Sequence, residues 1–532
     1  MSAVFRWAFA CLLAVTALLF SAGPAAAHAS LERTEPAADS IVATAPTVVL
    51  LHFGESVGVE LGTVKVVGPD GSRADVGRVL GNGRDVRVPL RAGLGAGTYV
   101  VAWRVTSADS HPISGGFAFS IGRPSTPAQV TADSVPGSTG RLMTVGRFAS
   151  YLGLMLLVGA VAVISLCWPL GASDPRVVRL TWAGWGTAVA GSVVTLLLQG
   201  PRAAGLGPMA AMSHPALLSD VLQTKFGQAH VSRLALLLAA TPLVVLGLTK
   251  QVRQSRLTAV LVTSGVGLLC ASYSLAGHAA ARRPVPVSVL VDMTHLLAVG
   301  AWLGGLVVVT VALLRSREAA LSGARWSRLA FGCVVTLTVS GTVAGFREVG
   351  SWAALWNTRY GELLVAKTTL VTVMVGMGAL GRWLLQRRHY GVLARSVRRE
   401  AALGVGVLAI TSVLVATVPA SAAYVKPYTA TKDVGPITVE LDVEPARTGT
   451  DAIHIYVTDG RGKAVAVQSV TLRVSLVSRA LGPIDVTLAE ESRGHVETRS
   501  ASLPYAGQWT FALEVRVTDI DSYPVSFTVP VR

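Results

Sequence analysis

Only four cysteines occur in 532 residues, and none stands in a polar stretch. Cys11 lies in an N-terminal apolar run, while Cys167, Cys270 and Cys333 sit in later apolar segments. A disulfide framework or a thiolate metal site is thereby excluded from the polar regions, where a cation must take nitrogen, oxygen or thioether ligands. Methionine is missing altogether between residues 28 and 122. Charge is sparse as well: 14% of residues are Asp, Glu, Lys or Arg against 51% hydrophobic. That balance suits a chain solvated by lipid better than a large soluble one. No G-x-x-x-x-G-K-[ST] loop is present, which argues against ATP-driven work by this chain alone.

What is there begins with a leader. Arg6 supplies a basic start, residues 7–20 an apolar run too short to anchor, and Ala25-Ala26-Ala27 a small-x-small cleavage site, so residues 1–27 read as a signal peptide and the mature chain starts at His28. Residues 28–122 read as β, with strand-like "TVVLLHF" (47–53) and "YVVAWRV" (99–105) between Gly/Pro/Asp turns such as "GPDGS" (68–72). A Pro/Ser/Thr/Gly-rich linker covers 123–143. Residues 144–421 hold eight apolar stretches near 145–168, 178–200, 230–249, 257–276, 287–314, 329–346, 362–381 and 401–421, each close to the roughly 20 residues that cross a bilayer. Residues 430–532 are β again. The expected architecture is a multidomain membrane protein: an N-terminal all-β Ig-like or Greek-key barrel, an α-helical eight-span domain and a C-terminal all-β sandwich.

The net charge of +16 does not call for nucleic acid. With the first domain exported, odd-numbered loops are cytoplasmic, and these carry most of the bases, including Arg315, Arg317, Arg325, Arg328, Arg387, Arg388, Arg395, Arg398 and Arg399. The outer loops hold only Arg202, Lys225, Arg282, Arg283, Arg347 and Arg359. This is the positive-inside pattern of a multi-pass membrane protein with both β domains outside. Inside the helical region "TKFGQAHVSRLAL" (224–236) aligns with "TRYGELLVAKTTL" (358–370), which suggests two four-helix halves in parallel orientation.

A histidine at a new N-terminus offers its α-amine and its Nδ1 together, and neutral nitrogen chelation of this kind suits Cu(II). "SADSHPISG" (107–115) adds Asp109 and His111, two apart and so on one side of an extended segment. His28, Asp109 and His111 together make a tetragonal N₃O set, again matched to Cu(II). At this point a resemblance becomes clear. "HASLERTEPAADSIVATAPTVVLLHFGESV" (28–57) followed by "WRVTSADSHPISGGFAFSIG" (103–122) resembles CopC, a secreted copper-binding β-barrel. The resemblance implies a Cu(II) site at His28, Asp109 and His111; the missing methionines imply that no Cu(I) site accompanies it. "SLAGHA" (274–279), "DMTHLLAVGAWLGGL" (292–306) and "NTRYGELLVAK" (357–367) resemble CopD, which often follows CopC on one chain.

Within the apolar stretches, His278 ends the fourth at its outer face and His295 lies about two turns into the fifth, with Asp292 placed to hold its ring. Ionisable groups at such depth are functional candidates. Met209, Met212 and His214 of "MAAMSH" offer soft donors to Cu(I). Lys367 and Arg233 occupy equivalent repeat positions and could gate cations, although snorkelling to the interface is the preferred reading. "WLGG" (302–305) offers close helix contact, and His454 and His495 are taken as isolated surface residues. The expected function is copper capture outside the membrane and import across it, with no enzymatic step. The expected partners are the copper ion, the bilayer, and an extracytoplasmic copper chaperone or cuproenzyme. Two alternatives stay open: copper sequestration without transport, and a haem-bearing membrane reductase with His278 and His295 as axial ligands.

Overall fold

The computed structural model describes residues 31–531 apart from 39, 108–111, 127, 129–136, 247–255, 278, 280–283, 387–389, 425, 478–480, 504 and 506. The leader, His28, Asp109, His111 and His278 therefore lie outside the described residues. One compact unit is helical and is built chiefly from residues 133–424; the strands of both β regions are grouped in the other.

Among its described residues the N-terminal β module has eight strands: β1 (Leu31–Glu35), β2 (Ile41–Val42), β3 (Val48–Phe53), β4 (Val57–Val67), β5 (Leu80–Asn82), β6 (Asp85–Pro89), β7 (Gly97–Ser107) and β8 (Pro112–Ile121). They form two four-stranded sheets, ordered β1-β3-β6-β5 and β2-β8-β7-β4. The alternation in β3 and β6 sends Val49, Leu51, Phe53, Val86 and Val88 inward, where they meet Val101, Trp103 and Phe119 of the second sheet. Trp103 lies edge-on to Phe53 at 5.1 Å. Gly115 is required beneath it, since a Cβ there would come within 2.6 Å of the indole.

Among the described residues the helices include α1 (Gly137–Ala162), α2 (Pro175–Ala204), α3 (Pro215–Gln223), α4 (Lys225–Leu246), α5 (Arg256–Ser274), α6 (Val285–Val299), α7 (Ala319–Val349), α8 (Trp352–Trp356), α9 (Arg359–Gln386) and α10 (Tyr390–Leu414). Among the described residues, five helical runs are long and apolar enough to cross a membrane: Gly137–Cys167, Pro175–Ala204, Val285–Arg315, Ser322–Val349 and Arg359–Trp383. α1 starts inside the segment read as linker. Its first turn is tied down there, because the Thr139 hydroxyl donates to Leu206 O at 2.9 Å. α2 is capped by the Asp174 side chain, which accepts from Arg176 N at 2.7 Å, and it stops at Gly205 in the left-handed region.

Small residues bring the helices together. A Cβ on Gly153 would overlap the backbone of Ala188, and one on Gly191 the backbone of Ser150, so α1 and α2 touch main chain to main chain. The fifth predicted stretch is not one regular helix. α6 passes at Gly300–Gly304 into a π-turn and resumes at Gly305–Val311. Gly304 of "WLGG" lies against Met155 O and Gly159, the close contact expected of it.

The tail comprises β9 (Tyr428–Val434), β10 (Ile437–Glu444), β11 (Gly449–Asp459), β12 (Ser469–Leu476), β13 (Leu481–Val486), β14 (Ala489–Ser492), β15 (His495–Leu503), β16 (Gly507–Arg516) and β17 (Ser522–Val531). A five-stranded sheet β14-β15-β11-β10-β9 and a four-stranded sheet β13-β12-β16-β17 enclose one core. Trp509, Phe511 and Phe527 are fully buried in it, and truncating such a side chain to alanine costs about 3–5 kcal/mol.

Candidate metal sites

The three N-terminal candidates fall where no geometry is described, but their supports are clear. Asp109 and His111 fall in sequence between β7, which ends at Ser107, and β8, which begins at Pro112, two neighbouring strands. A histidine not singled out from the sequence, His52 on β3, binds Asp85 Oδ1 through Nδ1 at 2.5 Å and faces Glu32 Oε2 at 3.9 Å through Nε2.

In the helical unit His295 is set by α7. Ser340 donates its single hydroxyl proton to Thr336 O at 2.7 Å, so toward His295 Nδ1, 2.9 Å away, it can only accept. The proton therefore resides on Nδ1, and Nε2 presents a lone pair with no hydrogen-bond partner among the described residues. Asp292 was expected to orient this ring; the acceptor is Ser340, because α7 packs against α6 on that side. Asp292 and His295 instead both lie within electrostatic range of Lys367 on α9.

The repeated segments adopt matching geometry. Thr224 Oγ1 accepts from Gly227 N at 3.1 Å, and Thr358 Oγ1 accepts from Gly361 N at the same distance. Both glycines press on the carbonyl of the preceding short helix, Val221 O and Leu355 O, where a Cβ would overlap it. Phe226 and Tyr360 are buried equivalently. Nine residues after each threonine the copies diverge. Arg233 does not snorkel: it is 3% exposed, donates to Ser272 O at 3.0 Å and lies 3.5 Å from the centre of the Tyr273 ring. Another of its N–H groups meets His230 Nε2 at 3.2 Å, and His230 Nδ1 donates to Phe226 O. Both nitrogens of His230 are thus occupied, which makes it a poor ligand.

Met209 and His214 flank the short helix Ala210–Ser213, and Met212 lies within it. Met209 is 70% and Met212 79% exposed, and the His214 ring bonds its own neighbour, Ser213 Oγ, at 2.9 Å.

In the tail, His454 and His495 are not isolated. Antiparallel register sets His454 of β11 opposite Glu497 of β15, and Tyr456 opposite His495. His454 Nδ1 lies 3.0 Å from Glu497 Oε2 and 3.2 Å from His495 Nε2, and that nitrogen is 3.9 Å from the same oxygen. Among the described residues this is the one group of three or more His, Cys, Asp or Glu side chains with metal-ligand proximity. Burial disfavours the Glu497 charge, yet Arg499, which donates to Oε1 at 2.6 Å, and the two imidazoles outweigh it and hold the carboxyl below its ordinary range. One sequence signal was available: His495 and Glu497 are two apart on a strand. Their partner lies 41 residues earlier, and only the strand pairing reveals it.

Three family models match in series: "CopC domain" at residues 31–122, "Copper resistance protein D-like, N-terminal domain" at 138–285, and "Copper resistance protein D" at 320–414. Copper resistance protein C of Escherichia coli is 38% identical over 107 residues, 18% of this chain and 83% of that protein. The chain belongs to the CopC–CopD family. Copper transport protein CutJ of Bacillus subtilis (strain 168) is 28% identical over 540 residues, 96% of this chain and 97% of its own length. Copper resistance protein D of Pseudomonas syringae pv. tomato is 29% identical over 297 residues, covering 51% of this chain and 93% of that protein. The CopC match encloses β1–β8, and the two CopD matches run from the second residue of α1 through α5 and from the second residue of α7 through α10. His295 lies on α6, between them, and the three matches stop before the tail.

Proposed function

We propose that this CopC–CopD protein captures Cu(II) outside the cell membrane and imports copper across it. In this reading the leader is removed after Ala27 and the cupric ion is gripped by the His28 amine and ring, Asp109 and His111. It passes to an outer-face site of His278 and His295, with Met209, Met212 and His214 as an accessory stop for Cu(I). The helical region crosses the inner membrane eight times as two halves, and both β modules, of immunoglobulin-like type, stand outside. No catalytic step is needed.

Support comes from CopC and CopD matches in series on one chain and from a near-full-length relative named as a copper transport protein. The observation that carries the pathway is His295. A ring whose Nδ1 proton is committed to Ser340 keeps Nε2 available as a neutral donor. Capture strengthens from acid to neutral pH, because the amine and imidazoles must shed protons to bind. The test is entry of labelled copper into vesicles holding the purified protein. His295→Gln is expected to reduce the initial rate at least tenfold, and Ser340→Ala a few-fold. Unchanged entry in His295→Gln would overturn the pathway.

A further inference from the structure

We propose that the tail carries a second copper(II) site, formed by His454 Nδ1, His495 Nε2 and Glu497 Oε2. The inference goes beyond capture and import, and it stands on the tail's own geometry. The three atoms form a triangle with sides of 3.0, 3.2 and 3.9 Å. The point equidistant from its corners lies about 2 Å from each, the length of a metal bond to imidazole nitrogen or carboxylate oxygen. From that point His454 subtends about 100° with Glu497 and about 105° with His495, while His495 and Glu497 stand about 155° apart. Tetrahedral zinc would ask for near-equal angles. A T-shaped set with one place open opposite His454 is three corners of a tetragonal site, the preference of Cu(II).

The surroundings suit a cation. Arg499 engages the other carboxylate oxygen of Glu497, leaving Oε2 turned to the two rings. Tyr456 stacks on His495 at 4.4 Å and fixes its plane. Asp442 is paired with His454 in the β10–β11 register and so lies on the same face; its Oδ1 is buried without a hydrogen-bond partner. A bound cation, or water on it, would satisfy that atom. His454 and His495 are half-buried, so an ion from solvent can reach them.

The test uses the full chain in detergent, titrated with Cu(II) alone and read by bound copper per chain and electron paramagnetic resonance. Wild type, His111→Ala, His454→Gln/His495→Gln, Glu497→Gln and the combined His111→Ala/His454→Gln/His495→Gln variant are compared. The tail double variant is expected to lose one copper equivalent and His111→Ala another, additively. The signal left in His111→Ala should be axial with splitting from two nitrogens, and Glu497→Gln should weaken that site about tenfold. The glutamine pair keeps polar side chains of similar reach, and unchanged hydrogen exchange in β10 and β16 verifies the fold. Full copper stoichiometry in the double variant overturns the tail site, as does equal affinity for Zn(II). No loss in His111→Ala counts against the capture reading alone.

Discussion

The two β modules present metal-binding side chains in opposite ways. In the N-terminal module the expected donors are His28 and two residues that fall in sequence between β7 and β8, of which only the flanking strands are described. In the tail the donors stand on β11 and β15, and the hydrogen-bond ladder itself places them. Ligands held by a connection can be read as a short motif. Ligands held by register are separated in sequence by everything between the strands, and they become neighbours only when the strands pair.

That contrast can be broken in order of effect. One residue added before His28 is expected to weaken the N-terminal site about a hundredfold, since the amine leaves the chelate ring. Copper bound at His454 and His495 should not change, and a titration of the leaderless chain reads both. A smaller effect concerns Asp451 on β11, fully buried, with Oδ1 accepting from Arg447 N at 3.2 Å and Oδ2 unpartnered. Burial pushes its carboxyl up to about 6. The folded tail then binds more protons than the unfolded chain between about pH 4 and 6, so its stability falls as pH rises through that window. The loss is up to about 3 kcal/mol, for roughly two units at 1.36 kcal/mol each. Asp451→Asn is expected to remove that slope, with slower hydrogen exchange in β10 and β16 at pH 7. The β11–β15 register shifts between Asp451 and Ile453 before His454 meets Glu497. An isosteric change there should leave copper affinity intact, and a fall in affinity would mean that the carboxyl itself sets the pairing.

Much of the fold was legible because it rests on local periodicity. Strand-like runs located β3 and β7, the second by alternation through Tyr99, Val101, Trp103 and Val105, and apolar length located the helical runs. The start of α1 was missed, since Gly137 and Ser138 read as linker and a long-range bond from Thr139 decides the matter. The repeat was visible in Thr224 and Thr358, whose caps prove superimposable in kind. Arg233 was misplaced for a physical reason. A lone base in an apolar helix invites snorkelling, and the sequence does not show that Tyr273 and Ser272 of the next helix receive it. Asp292 was assigned to His295 by helical spacing, whereas Ser340 comes from a different helix. His454 and His495 were dismissed because nothing in a linear reading joins residues 41 apart.

The π-turn at Gly300–Gly304 means that α6 is wound one residue loose between His295 and the glycine pair that grips α1. Each residue of an α-helix advances the chain by about 100° around its axis. Deleting Ala301 would regularise the winding and swing the imidazole about a quarter turn from Ser340 while the Gly304 contact stayed put. The looseness acts as a phase shifter. It lets one half of a single rod obey its tight neighbour and the other half aim a nitrogen elsewhere.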